Sequence, residues 1–365
     1  MKRILPLILA MVAIVAVSGC IDTGNTGGTQ TTTGNGLEIT DFSSDRSEVF
    51  TNQGVRVFME VENLGQSEVA EGFMYLIGNI EEVDAYNKEE GSNYWRTEDS
   101  RVMTFDELKP ADTLREIPAE KERVDWKLYA PTLAAGQQRT DSFEGRAYYS
   151  FETKASGTLW LYSPTEAEAA RNSGEALDKS QISSSVGPIE ITVEVAPDPP
   201  EIESGDNEFA LQITLTNVGE GTVFYQEDFD YTSEPSLVSD DLNKIKITSD
   251  TSDLVITGCN EIEDGDLAEL IGTATTIYCD AEYPLGKVDA YCKKTKEQVE
   301  AEAQAEEAVV DCTSKDKTAC GDDDACEWVE ETTKDLTAKT SIPISITAEY
   351  GYYKDQTLSL TAVGK

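Results

Sequence analysis

Ile189-Glu190-Ile191-Thr192-Val193-Glu194-Val195 is followed, after a turn-rich gap, by Phe209-Ala210-Leu211-Gln212-Ile213-Thr214-Leu215-Thr216 and then by Asn217-Val218-Gly219. Apolar and polar residues alternate through both runs. A period of two gives a segment one buried and one wet face, so the passage reads as two strands. The Asn-x-Gly that ends it is turn chemistry, since Asn and Gly accept backbone angles that other residues resist. Earlier in the chain the passage has a counterpart. Leu37-Glu38-Ile39-Thr40 opens it, Val55-Arg56-Val57-Phe58-Met59-Glu60-Val61 repeats the second strand, and Asn63-Leu64-Gly65 repeats the turn. Val69 and Val223 follow at equal distance, and Phe73-Met74-Tyr75-Leu76-Ile77 supplies a further strand.

The far ends of the two blocks also correspond. Tyr149-Ser150-Phe151 stands ahead of Thr158-Leu159-Trp160-Leu161, and Tyr350-Gly351-Tyr352 ahead of Thr357-Leu358-Ser359-Leu360. Agreement at both ends, in the same order, indicates a tandem repeat over residues 37–187 and 188–365. Each block is expected to close with two strands joined by a short polar turn. Short strands between turn signals, without a helix-strand rhythm, point to an all-β chain of antiparallel sandwiches. The alternating strand ending in Asn-x-Gly resembles the CARDB-like, immunoglobulin-type domains of archaeal and bacterial surface proteins. That likeness implies tandem immunoglobulin-like β-sandwiches serving as stalks, adhesive modules or spacers. Both blocks exceed the roughly 100 residues of such a sandwich, and the excess falls in two insertions, 78–125 and 286–332.

The first insertion is charged, weakly periodic and carries Tyr86, Tyr94 and Trp95. Loops on a rigid scaffold are where recognition residues gather. These three are the candidate contacts for a partner, against the plainer reading that they cap the core. Trp126, in VDWKLYAP, reads as core. After the first block, Ser163-Pro164-Thr165-Glu166 carries N-cap and first-turn signals and Gly174 a stop, which predicts a short surface helix.

The second insertion holds an Ala/Glu-rich stretch, KEQVEAEAQAEEAVVD, opened by Thr295 and Gln298 and flanked by Cys292 and Cys312. About 16 helical residues at 1.5 Å each would hold its ends some 24 Å apart. Disulfide Cα atoms sit within about 7 Å, so a straight helix keeps Cys292 and Cys312 from bonding to each other. Cys312, Cys320 and Cys326 then crowd ahead of Trp328 in a segment too poor in apolar residues to fold without bridges. Cys259 and Cys279 lie on strand-like segments and are expected to pair. Gly321-Asp322-Asp323-Asp324 lacks the alternating ligand spacing of a calcium loop and reads as an acidic turn. No metal or cofactor is expected.

At the amino terminus Met1-Lys2-Arg3 precedes an apolar run from Ile4 to Val17 and then Val17-Ser18-Gly19-Cys20. The run is shorter than the roughly 20 residues of a spanning helix and has the three parts of a signal peptide. Its end resembles the lipobox of bacterial and archaeal lipoproteins. The resemblance implies cleavage after residue 19 and a diacylglycerol thioether on Cys20. Residues 21–36, rich in Thr and Gly, contain one large apolar side chain, Ile21, at their start and form a flexible tether. Of the seven cysteines, an odd number, Cys20 is set aside for lipid, leaving Cys259, Cys279, Cys292, Cys312, Cys320 and Cys326 for three disulfides.

Composition removes whole classes of function. Acidic residues outnumber basic ones 70 to 29, a formal charge of −41, so phosphate repulsion excludes nucleic acid as a partner. The chain has no histidine, which removes Ser-His-Asp and Cys-His catalysis and most zinc hydrolase sites. With so many carboxylates, some pair always looks catalytic, so the carboxylate-pair signal carries no weight. The expectation is a non-enzymatic, lipid-anchored protein on the outer face of the membrane, with a structural role or a surface protein or glycan as partner. The alternatives are a solute-binding lipoprotein of an uptake system, which lacks its βα rhythm here, and a carboxylate-based hydrolase.

Overall fold

Along Gly54–Asn63 the alternation leaves Val55, Val57, Met59 and Val61 without exposed surface, while Arg56 points outward. The same rule runs through the computed structural model. It describes residues 36–83, 92–203, 207–227, 229–251, 253–260, 262–263, 266–284, 289–294, 326–331, 336 and 338–365.

The first block supplies β1 (Leu37–Ser44), β2 (Glu48–Phe50), β3 (Gly54–Asn63), β4 (Gly72–Ile77), β5 (Ile80–Glu82), β6 (Trp95–Thr97), β7 (Val102–Phe105), β8 (Lys121–Tyr129) and β9 (Gln138–Tyr162). Helix α1 (Pro164–Ser173) and β10 (Gln181–Ser184) lead to the second block. There follow β11 (Ile189–Ala196), β12 (Glu208–Asn217), β13 (Thr222–Phe224), β14 (Lys244–Asp250), β15 (Val255–Thr257), β16 (Ile262–Glu263) and β17 (Leu267–Glu269). The chain then runs through β18 (Ala274–Glu282), β19 (Asp289–Lys294), β20 (Cys326–Glu331) and β21 (Lys339–Val363). The fold is all-β.

Two smaller sheets repeat one pattern, β1-β3-β8-β6-β5 in the first block and β11-β12-β18-β15 in the second. In each, the first residue of the opening strand faces the asparagine that ends the next long strand, Leu37 opposite Asn63 and Ile189 opposite Asn217. Between the blocks runs a ten-stranded sheet ordered β16-β17-β14-β21-β9-β4-β7, with β10, β13 and β2 attached to its long strands. β1 packs on β21 and β11 on β9, and all three sheets contribute buried side chains to one apolar cluster. Fold class is therefore as read, whereas the described part of residues 33–365 forms a single compact unit.

The reason lies in β9 and β21. Each was expected to be two strands about a polar turn, yet each runs unbroken for 25 residues, and the two pair antiparallel along their whole length. The polar stretch Glu152 to Gly157 continues as strand because Thr153 and Ala155 point into the core while Lys154 and Ser156 face water. Gly157 admits the backbone of β10, where a Cβ would lie 1.9 Å from the Gln181 carbonyl oxygen. At mid-length Ser150 faces Gly351, with Tyr149 opposite Tyr352 and Phe151 opposite Tyr350. Residues that correspond in the repeat thus exchange places about that pair, as across a two-fold axis.

Each block also lends a segment to the other. β2 of the first block lies parallel to Thr361–Val363 of β21, and Glu201 of the second bridges in parallel to Tyr162 at the end of β9. Val49 and Ile202 are buried at these two exchanges. Lys354 of β21 donates to both carboxylate oxygens of Glu38 in β1 at 2.7 Å.

Helix α1 forms as the sequence predicts. Ser163 Oγ accepts the Glu166 N–H at 3.3 Å, Pro164 opens the first turn, and Gly174 ends the helix at φ 79°. The first insertion is more ordered than its weak periodicity suggests, since it contributes β5, β6, β7 and the start of β8. The second insertion is entered and left through β19 and β20, which pair antiparallel. Its Ala/Glu-rich stretch lies outside the described residues.

Candidate functional site

Of the residues expected to meet a partner, Tyr94 is half exposed, at 52%, and its backbone N–H is held by Ser92 Oγ at 3.0 Å. Trp95 corrects the expectation. It has no exposed surface: its indole Nε1 donates to Asp141 Oδ2 at 2.8 Å and its ring meets Phe143 edge-on at 5.5 Å. A buried indole needs an acceptor, and Asp141 is fixed for that purpose by Arg139 Nε at 2.7 Å. Trp95 therefore caps the core where β6 joins β8. Trp126 is core, as expected. Tyr86 lies outside the described residues.

Cys259 and Cys279 form a disulfide. It joins the segment after β15 to the middle of β18 and closes a stretch separated by 20 positions. The backbones of Cys292 and Cys326 lie on β19 and β20, where Cys292 faces Trp328 and Cys326 faces Lys294. Cys20, Cys312 and Cys320 lie outside the described residues.

The seam between the blocks holds chemistry that the sequence did not reveal. On the core side of the long strands Tyr149, Tyr350 and Tyr352 are wholly buried. Tyr350 Oη accepts the Ile189 N–H at 3.2 Å and shares a hydrogen bond with Thr153 Oγ1 at 2.7 Å. Tyr352 Oη accepts the Gly221 N–H at 2.8 Å and donates to Asn217 Oδ1 at 2.9 Å. The Leu37 backbone approaches the Tyr149 hydroxyl without reaching hydrogen-bond geometry. Burial pushes all three hydroxyls up from the ordinary tyrosine range, Tyr149 well above that range and Tyr352 to about 12.

On the opposite face of the ten-stranded sheet Phe73, Tyr148, Phe224 and Tyr231 form a separate buried cluster, with Phe229 stacked against Tyr148 at 5.7 Å. The segment between β13 and β14 lies over it. Glu234 from that segment pairs with Arg101 of the first block and accepts from the Tyr75 hydroxyl at 3.3 Å. Phe224 also explains Gly351, because a Cβ there would meet the Phe224 ring at 2.2 Å.

Beside Ser150 a hollow of about 390 Å³ is lined by Ser67, Glu68, Ala70, Ser150, Phe151, Glu152, Gln226 and Glu349. Its walls are acidic, and Glu152 already lies 3.6 Å from Lys154 Nζ. Among the described residues no cluster of three His, Cys, Asp or Glu side chains is placed to hold a metal ion. No helix among them is long and apolar enough to cross a membrane.

No protein-family model matches the chain, and no curated protein sequence matches it.

Proposed function

We propose that this protein is a lipoprotein of the outer membrane face, held through a diacylated Cys20. Its paired sandwiches form a rigid body that presents the 286–332 insertion and the Tyr94 loop to a surface protein or glycan. The Cys259–Cys279 disulfide is the observation that carries this reading. Thiols in an ordinary cytosol are kept reduced, so a structural disulfide fits a chain exported to an oxidising compartment. The lipobox-like Val17-Ser18-Gly19-Cys20 supports export by an independent route, and two acyl chains on one cysteine hold a protein where a single chain is marginal. Binding and support, rather than catalysis, fit a chain without histidine.

The test is mass spectrometry of the protein purified from its host membrane, with thiol alkylation before and after reduction. The expected result is an amino-terminal lipid-modified Cys20 and six thiols that react only after reduction. An unmodified Cys20, or thiols free before reduction, would overturn the compartment.

A further inference from the structure

We infer that the hairpin arm between Lys109 and Glu120 is a second membrane contact, with Leu114 and Ile117 entering the interfacial layer of the bilayer that holds Cys20. The inference rests on the lipid-anchor reading and adds a surface to it.

The arm is built to hold an apolar tip in water. Glu120 N–H donates to the Lys109 carbonyl at 3.0 Å, and Asp112 and Ile117 exchange two backbone hydrogen bonds, each 3.0 Å. At the tip Asp112 Oδ1 accepts the N–H groups of Leu114 and Arg115, both at 3.1 Å. Leu114 is 96% exposed and Ile117 51%, in a body whose strand-borne leucines are mostly buried. A lone exposed leucine is ordinary, but two large apolar side chains at the end of one hydrogen-bonded hairpin, burying nothing within the fold, mark a contact surface.

The arm leaves the body where the amino-terminal segment enters it. Gly36 accepts the Leu64 N–H at 2.9 Å, and the adjoining Asn63 donates its backbone N–H to Glu120 at 3.1 Å and its side-chain Nδ2 to the Leu108 carbonyl at 2.8 Å. Tether entry and arm base are thus neighbours at one strand end, together with Leu64, itself 41% exposed. The second block places a smaller apolar tip at the corresponding end. Asn217 N–H donates to the Thr273 carbonyl at 2.7 Å, and Ile271 just before it is 72% exposed.

Length decides the occupant. Residues 21–36 separate Cys20 from the body, and sixteen residues of chain span at most about 55 Å. The arm, five residues from Lys109 to Leu114, extends at most about 17 Å at ~3.3 Å per residue. So short a connection lets the tip reach the headgroups without a further search in solution. Exposed Arg115 beside Leu114 suits an interface where apolar and charged groups meet.

The experiment uses the lipidated full chain in phosphatidylcholine vesicles with or without bromine on the acyl chains. Leu114→Trp is compared with the parent and with Tyr278→Trp, on the outer face of the β11-β12-β18-β15 sheet. We expect the added emission of Leu114→Trp to fall at least twofold with brominated lipid and that of Tyr278→Trp to stay unchanged. A chain that floats with the vesicles while Leu114→Trp is unquenched overturns the arm's role and leaves the anchor intact. A chain that does not float overturns the anchor and the arm with it. A blue shift of Leu114→Trp that grows with protein concentration without vesicles assigns the tip to a second copy and likewise overturns the bilayer contact.

Discussion

Tyr352 donates its hydroxyl hydrogen to Asn217 Oδ1 at 2.9 Å, fastening the middle of β21 to the turn that ends β12. Its counterpart in the repeat, Phe151, has no hydroxyl, and in the first block Asn63 Oδ1 instead accepts the Gly65 N–H at 3.1 Å. Both asparagines spend their amide on a carbonyl four residues ahead, Asn63 on Ser67 and Asn217 on Gly221. Replacing Tyr352 with Phe leaves Asn217 Oδ1 and the Gly221 N–H short of a partner at a part-buried site. The expected cost is about 1–3 kcal/mol, read as a lower urea midpoint at unchanged slope. A midpoint equal to that of the parent would show that water replaces the hydroxyl there.

The same tyrosines set an alkaline limit. Their folded pKa values are raised by burial above the unfolded value of about 10, so above that pH the unfolded chain binds fewer protons than the folded one. The stability they confer is complete below pH ~10 and declines as pH rises through and beyond it. Denaturant titrations between pH 8 and about 12 should show a flat region and then a fall. With no histidine in the chain, a fall centred near neutrality would contradict this account.

The shared sheet predicts that the blocks do not fold apart. A fragment of residues 37–187 would lose the partner of β2 and the neighbour of β9 along all 25 of its residues. It should lack a cooperative thermal transition, while the whole chain gives a single one for its sandwiches. Independent, reversible melting of the fragment would show that the exchange of strands is dispensable.

Removing the Cys259–Cys279 bridge frees a loop whose ends are 20 positions apart. Chain entropy alone places the loss at about 3 kcal/mol. Cys259→Ala combined with Cys279→Ala should therefore melt earlier than the parent, and reducing agent should shift the parent toward the variant. If the paired variant matches the oxidised parent, the loop is held by packing rather than by the bridge.

Trp95→Ala is expected to act on stability and not on partner binding. Emptying so large a buried site costs about 3–5 kcal/mol, and Asp141 loses a donor besides. Tyr94→Ala, at a half-exposed neighbour, should leave the melting temperature within about a degree or two of the parent, as surface changes do. A reversal of these two sensitivities would mean that β6 is not seated against β8.

Much of this molecule is local and was therefore written in the order of its residues. Alternation along Val55–Val61 and Phe209–Leu215 fixes which side chains are buried, because a strand's two faces depend only on position in the chain. Ser163, Pro164 and Gly174 fix both ends of α1, since caps bind backbone groups a few residues away. Cys259 and Cys279 were matched by their strand-like surroundings. What tertiary structure alone decided is non-local. Nothing near Ser150 or Gly351 specifies that they pair; that register follows from hydrogen-bonding two long strands edge to edge and burying Tyr149, Phe151, Tyr350 and Tyr352 together. The repeat therefore announced two similar halves, while their union into one sheet, the burial of Trp95 and the position of the base of the Leu114 arm near Gly36 arose only when distant segments met.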